Sequence, residues 1–191
     1  MSYFYRTKIF MRTLLLLLSC LLVAIQSSGQ IVEVANGTVQ FHSDAPQELI
    51  RARSMQLRGA LDLSKNAFAF RVRILSFDGF NSPLQQEHFH ENYMESGKFP
   101  EAQFSGKIIE DVDLSKDGEY EVRAKGKLLI HGLSQERTIR AHVSCKRGNI
   151  TITSEFVVTL ADHDVKIPRV VYDKLAPEIK VSVNARLQPR S

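Results

Sequence analysis

The chain has 191 residues, with 25 Lys and Arg against 21 Asp and Glu, a formal charge of +4 and a pI near 9.1. Three of the positive charges, Arg6, Lys8 and Arg12, lie in the first 29 residues; without that segment Lys and Arg fall to 22 and the charge to +1. That near-neutral balance removes the electrostatic argument for nucleic acid, and a single remaining cysteine, Cys145, excludes an internal disulfide.

In chain order the first element is a secretory signal. Arg6, Lys8 and Arg12 precede the apolar run Leu14 to Ile25, and the small residues Ser27, Ser28 and Gly29 follow it. The run is shorter than the roughly 20 residues of a membrane span. Cleavage is expected after Gly29, leaving residues 30–191 as one domain. Met11 is an alternative start. Lipidation at Cys20 is disfavoured, because Leu18 is a poor residue before Ser19 and apolar residues continue beyond the cysteine.

From Thr38 onward apolar and polar residues alternate with period two, as in strands with one buried face. The inward sets are Val39 and Phe41; Met55, Leu57, Gly59, Leu61 and Leu63; Phe68, Phe70, Val72 and Ile74; then Phe104, Gly106 and Ile108. Further on come Tyr120, Val122, Ala124, Gly126, Leu128 and Ile130; Ile139, Ala141, Val143 and Cys145; Ile150, Ile152, Ser154, Phe156 and Val158; and Ile179, Val181, Val183, Ala185 and Leu187. The polar connections "LSKN", "LSKDGE" and "KRGN" favour antiparallel hairpins. About eight such strands leave a sandwich or a closed barrel, and closure removes the exposed edges. The small inward residues either leave room for a ligand or let strands pack closely.

One stretch breaks the period. "LQQEHFHENYMES", Leu84 to Ser96, reads as a helix with Pro83 in its first turn, with Leu84, His88, Phe89 and Met94 on one side and Gly97 as its stop. A shorter helical turn is expected after Pro168, around Val170 to Leu175. His88 and His90 would share a face only on a strand; on a helix they lie about 200 degrees apart. A zinc site needs at least three protein ligands, and no further cluster stands out, so no metal or other cofactor is expected.

The segments "HENYMESGKFPEAQFSGKI", "GKLLIHGLSQERTIRAHV" and "FVVTLADHDVKIPRVVYDKLAPEIKVSVNARL" together resemble the YceI-like family, over about Val32 to Leu187. The resemblance runs from a polar helix through a Lys-aromatic-Pro turn to an "IHG" hairpin and a strand ending in "KIP". It implies an antiparallel, eight-stranded, lipocalin-like barrel, commonly exported, whose apolar interior binds a polyisoprenoid or another long-chain amphiphile. On that reading Phe41, Leu57, Leu61, Phe68, Phe70, Phe104, Leu128, Ile152 and Phe156 form the cavity wall, and Phe89 and Tyr93 close one end.

Catalytic groups are poorly grouped in the sequence. His142 and Cys145 stand three apart on one strand and so face opposite sides. "DHD", Asp162 to Asp164, reads as a solvated turn, and His131 as a residue shaping a hairpin end. The leading expectation is therefore a non-enzymatic, periplasmic or secreted binding protein. A lipid-modifying enzyme and a packed structural envelope protein are the alternatives.

Overall fold

A computed structural model of the protein describes residues 31–190. The expected signal, Cys20 and the choice between Met1 and Met11 lie outside the described residues.

Nine antiparallel strands account for most of the described residues: β1 (Ile31–Asp44), β2 (Leu49–Ser54), β3 (Arg58–Asp62), β4 (Ala67–Arg73), β5 (Glu101–Ile108), β6 (Gly118–Ile130), β7 (Leu133–Lys146), β8 (Asn149–Thr159) and β9 (Glu178–Pro189). They pair in the order β2-β1-β3-β4-β5-β6-β7-β8-β9, and β9 returns to β1 along Val32 to His42. The other edge of β1 is shared, with β3 at Ile31 to Glu33 and β2 at Val39 to Asp44. Eight strands thus close an antiparallel barrel, and β2 is an extra strand beside β1. Its outer edge bonds Arg53 to Asp78 in both directions, at 2.8 and 2.9 Å.

Alternation decides which way each strand faces. In β6, Val122 and Leu128 are buried while Glu121, Arg123, Lys125 and Lys127 are exposed, so the charged side meets water and the apolar side meets the lumen. The expected run of inward residues from Met55 to Leu63 is corrected here. The chain slips phase between β2 and β3, so that Ser54 and Leu57 are buried and Met55 is 68% exposed. Ser54 is tolerated inside because its hydroxyl bonds Ser76 Oγ at 2.6 Å and accepts from Gln56 N at 3.1 Å. A bulge between Val34 and Asn36 also shifts the phase of β1. The strand therefore begins at Ile31, ahead of the expected Thr38, and Ile74 falls in a 3-10 turn beyond β4.

The two ends of the barrel differ. At one, Val32, Leu61, Val143, Cys145, Ile150 and Leu187 pack with Leu114 from the β5–β6 connection, which is 1% exposed. Asn66 Nδ2 pins that connection by donating to the Val112 carbonyl at 3.0 Å. At the other end lie the β1–β2 turn and the long connections 74–100 and 160–177.

Connection 74–100 carries α1 (Pro83–His88), continued by a wider π turn at Phe89–Tyr93. Ser82 caps α1, its hydroxyl accepting from Gln85 N at 3.2 Å. The expected stop at Gly97 is not used; Met94 ends the helical stretch and Glu95 takes the left-handed conformation, φ +40°. Connection 160–177 holds 3-10 turns at Leu160–His163 and Arg169–Val171. His163 in "DHD" is 1% exposed, so the expected solvated turn is corrected there. Its Nδ1 donates to the Leu133 carbonyl at 3.2 Å, and its own carbonyl accepts from His131 Nδ1 at 3.0 Å.

Candidate binding cavity

Above the packed floor the barrel is hollow. A cavity of about 530 Å³ runs from Leu61, Val143 and Ala185 to the end covered by α1 and Arg169–Val171. Two aromatic groups shape it. Phe68, Phe70 and Phe104 form the middle of one wall, with ring centroids 4.9 Å (Phe68–Phe104) and 5.8 Å (Phe68–Phe70) apart. Phe104 faces Phe70 in the β4–β5 register, so alternation on neighbouring strands is what stacks them.

The second group holds the cover. Phe89 stacks on Phe41 of β1 at 5.2 Å and lies 5.1 Å from Phe80 and 5.8 Å from Phe77. A helical stretch with little apolar surface is thereby fastened over the lumen by one ring.

The small inward residues divide into two kinds. Gly106 and Gly126 oppose each other across β5 and β6, and a Cβ on either would collide with backbone of the facing strand, Lys125 O for Gly106 and Ser105 O for Gly126. They let the strands approach closely. Ala124, Ala141, Ser154 and Ala185 instead line the cavity and leave it open.

All eleven residues expected at the site line the cavity: Phe41, Leu57, Leu61, Phe68, Phe70, Phe89, Tyr93, Phe104, Leu128, Ile152 and Phe156. Phe77, Phe80, Ile139, Val181 and Val183 line the cavity beyond those eleven; the first two contact Phe89, Phe77 and Ile139 are buried and the other three half-buried. Alternation already marks Ile139, Val181 and Val183 as inward, whereas "SFDGF" has no period to reveal Phe77 and Phe80.

Polar side chains gather at the covered end: Glu48, Ser82, Gln85, His88, Tyr93 and Lys174. Gln85 Nε2 donates to Glu48 Oε1 at 2.8 Å, tying α1 to the β1–β2 turn. Burial, with a lesser effect of the Glu48 carboxylate, pushes the Tyr93 phenol above its ordinary value, so it stays protonated. His88 lines the cavity and His90 does not. Among the described residues no three His, Cys, Asp or Glu side chains lie together as a metal site would require.

Other reactive groups are dispersed. His142 sits outside, between Glu121 Oε1 at 2.7 Å and Glu119 Oε2 at 3.0 Å. Cys145 points into the packed floor, where burial, aided by Asp117 and Glu119, pushes its thiol up to about 11. His131, at φ +50° in the β6–β7 turn, joins the His163 carbonyl to Glu95 Oε2, 2.8 Å from its Nε2, and meets the Phe99 ring at 4.7 Å. It ties the cover to two other connections.

Comparison with known proteins agrees with this architecture. No curated protein sequence matches the chain. Among solved structures, a polyisoprenoid binding domain from Saccharophagus degradans, implicated in plant cell wall breakdown, superposes with a TM-score of 0.71 at 12% identity, covering 83% of this chain and 98% of that one. BcnA of Burkholderia cenocepacia gives 0.63 at 15%, covering 78% and 95%. A YceI protein of Campylobacter jejuni gives 0.53 at 13%, covering 69% and 78%. At such identities these likenesses show the fold. A family model described as a YceI-like domain matches residues 27–187, and the chain belongs to the YceI-like family.

Proposed function

We propose that this protein binds one long-chain apolar molecule, a polyisoprenoid or a fatty amphiphile, inside the barrel, and sequesters or carries it after export to the periplasm or the medium. The observation that carries this reading is the distribution of polarity. The lumen is walled mainly by aromatic and aliphatic side chains, with Arg71, Gln103 and Ser154 the polar exceptions on its strands, while the other charged and hydrogen-bonding groups collect at the covered end. A chain can lie among the former with its head among the latter.

The similar domain from Saccharophagus degradans, described as polyisoprenoid binding, supports the same ligand class. Affinity would come from burial at about 0.8 kcal/mol per methylene, with no catalytic group needed. The dispersed histidines and the unreactive Cys145 favour binding over catalysis. The apolar run at Leu14 to Ile25 supports export, and no helix among the described residues is long and apolar enough to cross a membrane.

Native mass spectrometry tests this directly. The protein is produced with its own N-terminal segment in an exporting bacterial host, weighed intact, then extracted with solvent and weighed again. An added mass that disappears on extraction and is identified as an isoprenoid or fatty amphiphile is the expected result. A ligand-free mass that stays unchanged after incubation with such lipids refutes it. The same spectrum reads removal of residues 1–29.

A further inference from the structure

The barrel wall is not continuous on one side. β6 pairs with β7 along its whole length, from Gly118 opposite Cys145 to Ile130 opposite Leu133, and β8 pairs with β9 from Ile150 opposite Leu187 to Thr159 opposite Glu178. Between β7 and β8 the ladder runs only from Lys146 opposite Asn149 to His142 opposite Thr153. Continued in register, Ala141, Ile139 and Arg137 would face Ser154, Phe156 and Val158, but no pairing is made there. Toward the covered end the wall therefore contains a seam, flanked inside by residues of the cavity.

Side chains close this seam in place of the ladder. Ser154 Oγ donates to the Arg140 carbonyl at 2.6 Å, Arg137 Nη2 to the Val157 carbonyl at 2.7 Å, and Gln135 Nε2 to the Asp162 carbonyl at 2.7 Å. Arg137 also lies 3.6 Å from Asp162 Oδ2. By alternation with Ile139 and Ala141, Arg137 and Gln135 occupy inward positions of β7, yet neither lines the cavity. They turn sideways into the gap. A bond made by a side chain is released by rotamer change, without moving either strand's other partner.

A second observation lies outside the barrel. A groove of about 520 Å³ crosses the outer face where the ladder stops, and Ala141, Ser154 and Val183 line both that groove and the inner cavity. Ala141 and Ser154, the first residues beyond the ladder, thus border both spaces, with Val183 of β9 paired beside Ser154. At the covered end, by contrast, Phe89 is held by its stack on Phe41 and its contacts with Phe77 and Phe80.

We propose that the seam between β7 and β8 is a lateral portal through which the apolar chain of the ligand passes between cavity and exterior, with Arg137 as its latch. The portal rests on the reading of the cavity as a binding site. A latch at a portal alters how fast the chain moves in and out and leaves the occupied state unchanged, so both rate constants shift together at constant Kd.

The test is a cross-link. Thr138 and Val157 are exposed and would face each other across the seam if the register continued; the full chain carrying Thr138→Cys and Val157→Cys is joined by a short bis-maleimide. Lys127→Cys with Glu136→Cys, directly opposed in the intact β6–β7 ladder, is the control. Stopped-flow fluorescence with a fluorescent long-chain fatty acid reads association and dissociation.

Joining the seam is expected to slow both rates about tenfold with little change in Kd, and Arg137→Gln to speed both about threefold, whereas the control cross-link changes neither. Unchanged rates in the seam-joined protein overturn the portal while leaving the binding site intact. Failure of the unmodified protein to bind the probe refutes the binding site, and the portal with it. Hydrogen exchange supplies a readout free of ligand: residues 135–141 and 154–159 should exchange faster than residues 124–129, which are paired on both sides. Equal protection overturns the seam.

Discussion

Replacing Ala124 with phenylalanine should shorten the chain that the barrel holds. Ala124 faces the cavity from β6, between Ile108 and Ile139 in register. The substitution adds about six carbon-sized groups, and at about 30 Å³ each, the share of one water in the liquid, they take about 180 Å³. The cavity of about 530 Å³ then falls from room for about eighteen such groups to about twelve. Each buried methylene contributes about 0.8 kcal/mol, or about fourfold in Kd. Affinity should therefore rise with chain length up to about eighteen carbons in the natural protein and stop near twelve in the variant. For a chain of about sixteen carbons the loss is about four methylenes, about 3 kcal/mol, near 200-fold, while a chain of about twelve is unaffected. Competition of a graded series of fatty acids against a fluorescent probe measures this. Filling empty space should leave Tm unchanged or raised. A uniform loss at every length, or none at any, would refute the assignment of Ala124 to the wall of a length-limited cavity.

Further outcomes follow from the same geometry. Phe104→Glu places a carboxylate against Phe68, whose ring centroid lies 4.9 Å from that of Phe104, and should abolish retention of the probe while the far-ultraviolet spectrum stays that of a barrel. Leu114→Ala, at a position 1% exposed in the packed floor, should cost about 2–5 kcal/mol, lowering Tm by about 5–15 °C with probe affinity preserved. His142 has its pKa raised, chiefly by Glu121 with Glu119 adding to it. Its contribution to stability is then fully present below the unfolded value near 6.5 and disappears as pH rises through the folded value. Tm of His142→Gln should accordingly lie furthest below the natural protein's at mildly acidic pH and converge with it at alkaline pH. Cys145, buried and with its thiol at about 11, should resist maleimide at neutral pH until denaturant unfolds the chain.

Period-two alternation made the barrel legible wherever one face of a strand meets water. β6 is the clearest case, since Arg123, Lys125 and Lys127 leave only one side for the lumen. The wall residues were legible for the same reason: alternation selects the face, and large apolar side chains on that face meet inside any closed sheet. The break between β2 and β3 was not legible, because "MQLRGALDL", Met55 to Leu63, reads as one unbroken alternation. What reverses Met55 and Ser54 is a hydrogen bond to Ser76, 22 positions away. His163 was hidden likewise: its polar neighbours Asp162 and Asp164 imply solvent, and only the folded β6–β7 turn supplies the carbonyl that lets it be buried. Phe77 and Phe80 could be placed only once Phe89 was seen to descend on Phe41.

The plug of Leu114 against Leu61, Val143, Cys145 and Leu187 makes the barrel two machines in series. The wall still shares one buried core with the floor, through Phe68, Val72 and Val122, so large changes to the lumen also weaken the fold, whereas changes to the floor need not alter what is held. An engineer wanting a deeper vessel would shorten side chains at the plug, accepting lower thermal stability; one wanting a different cargo would work only above Leu61.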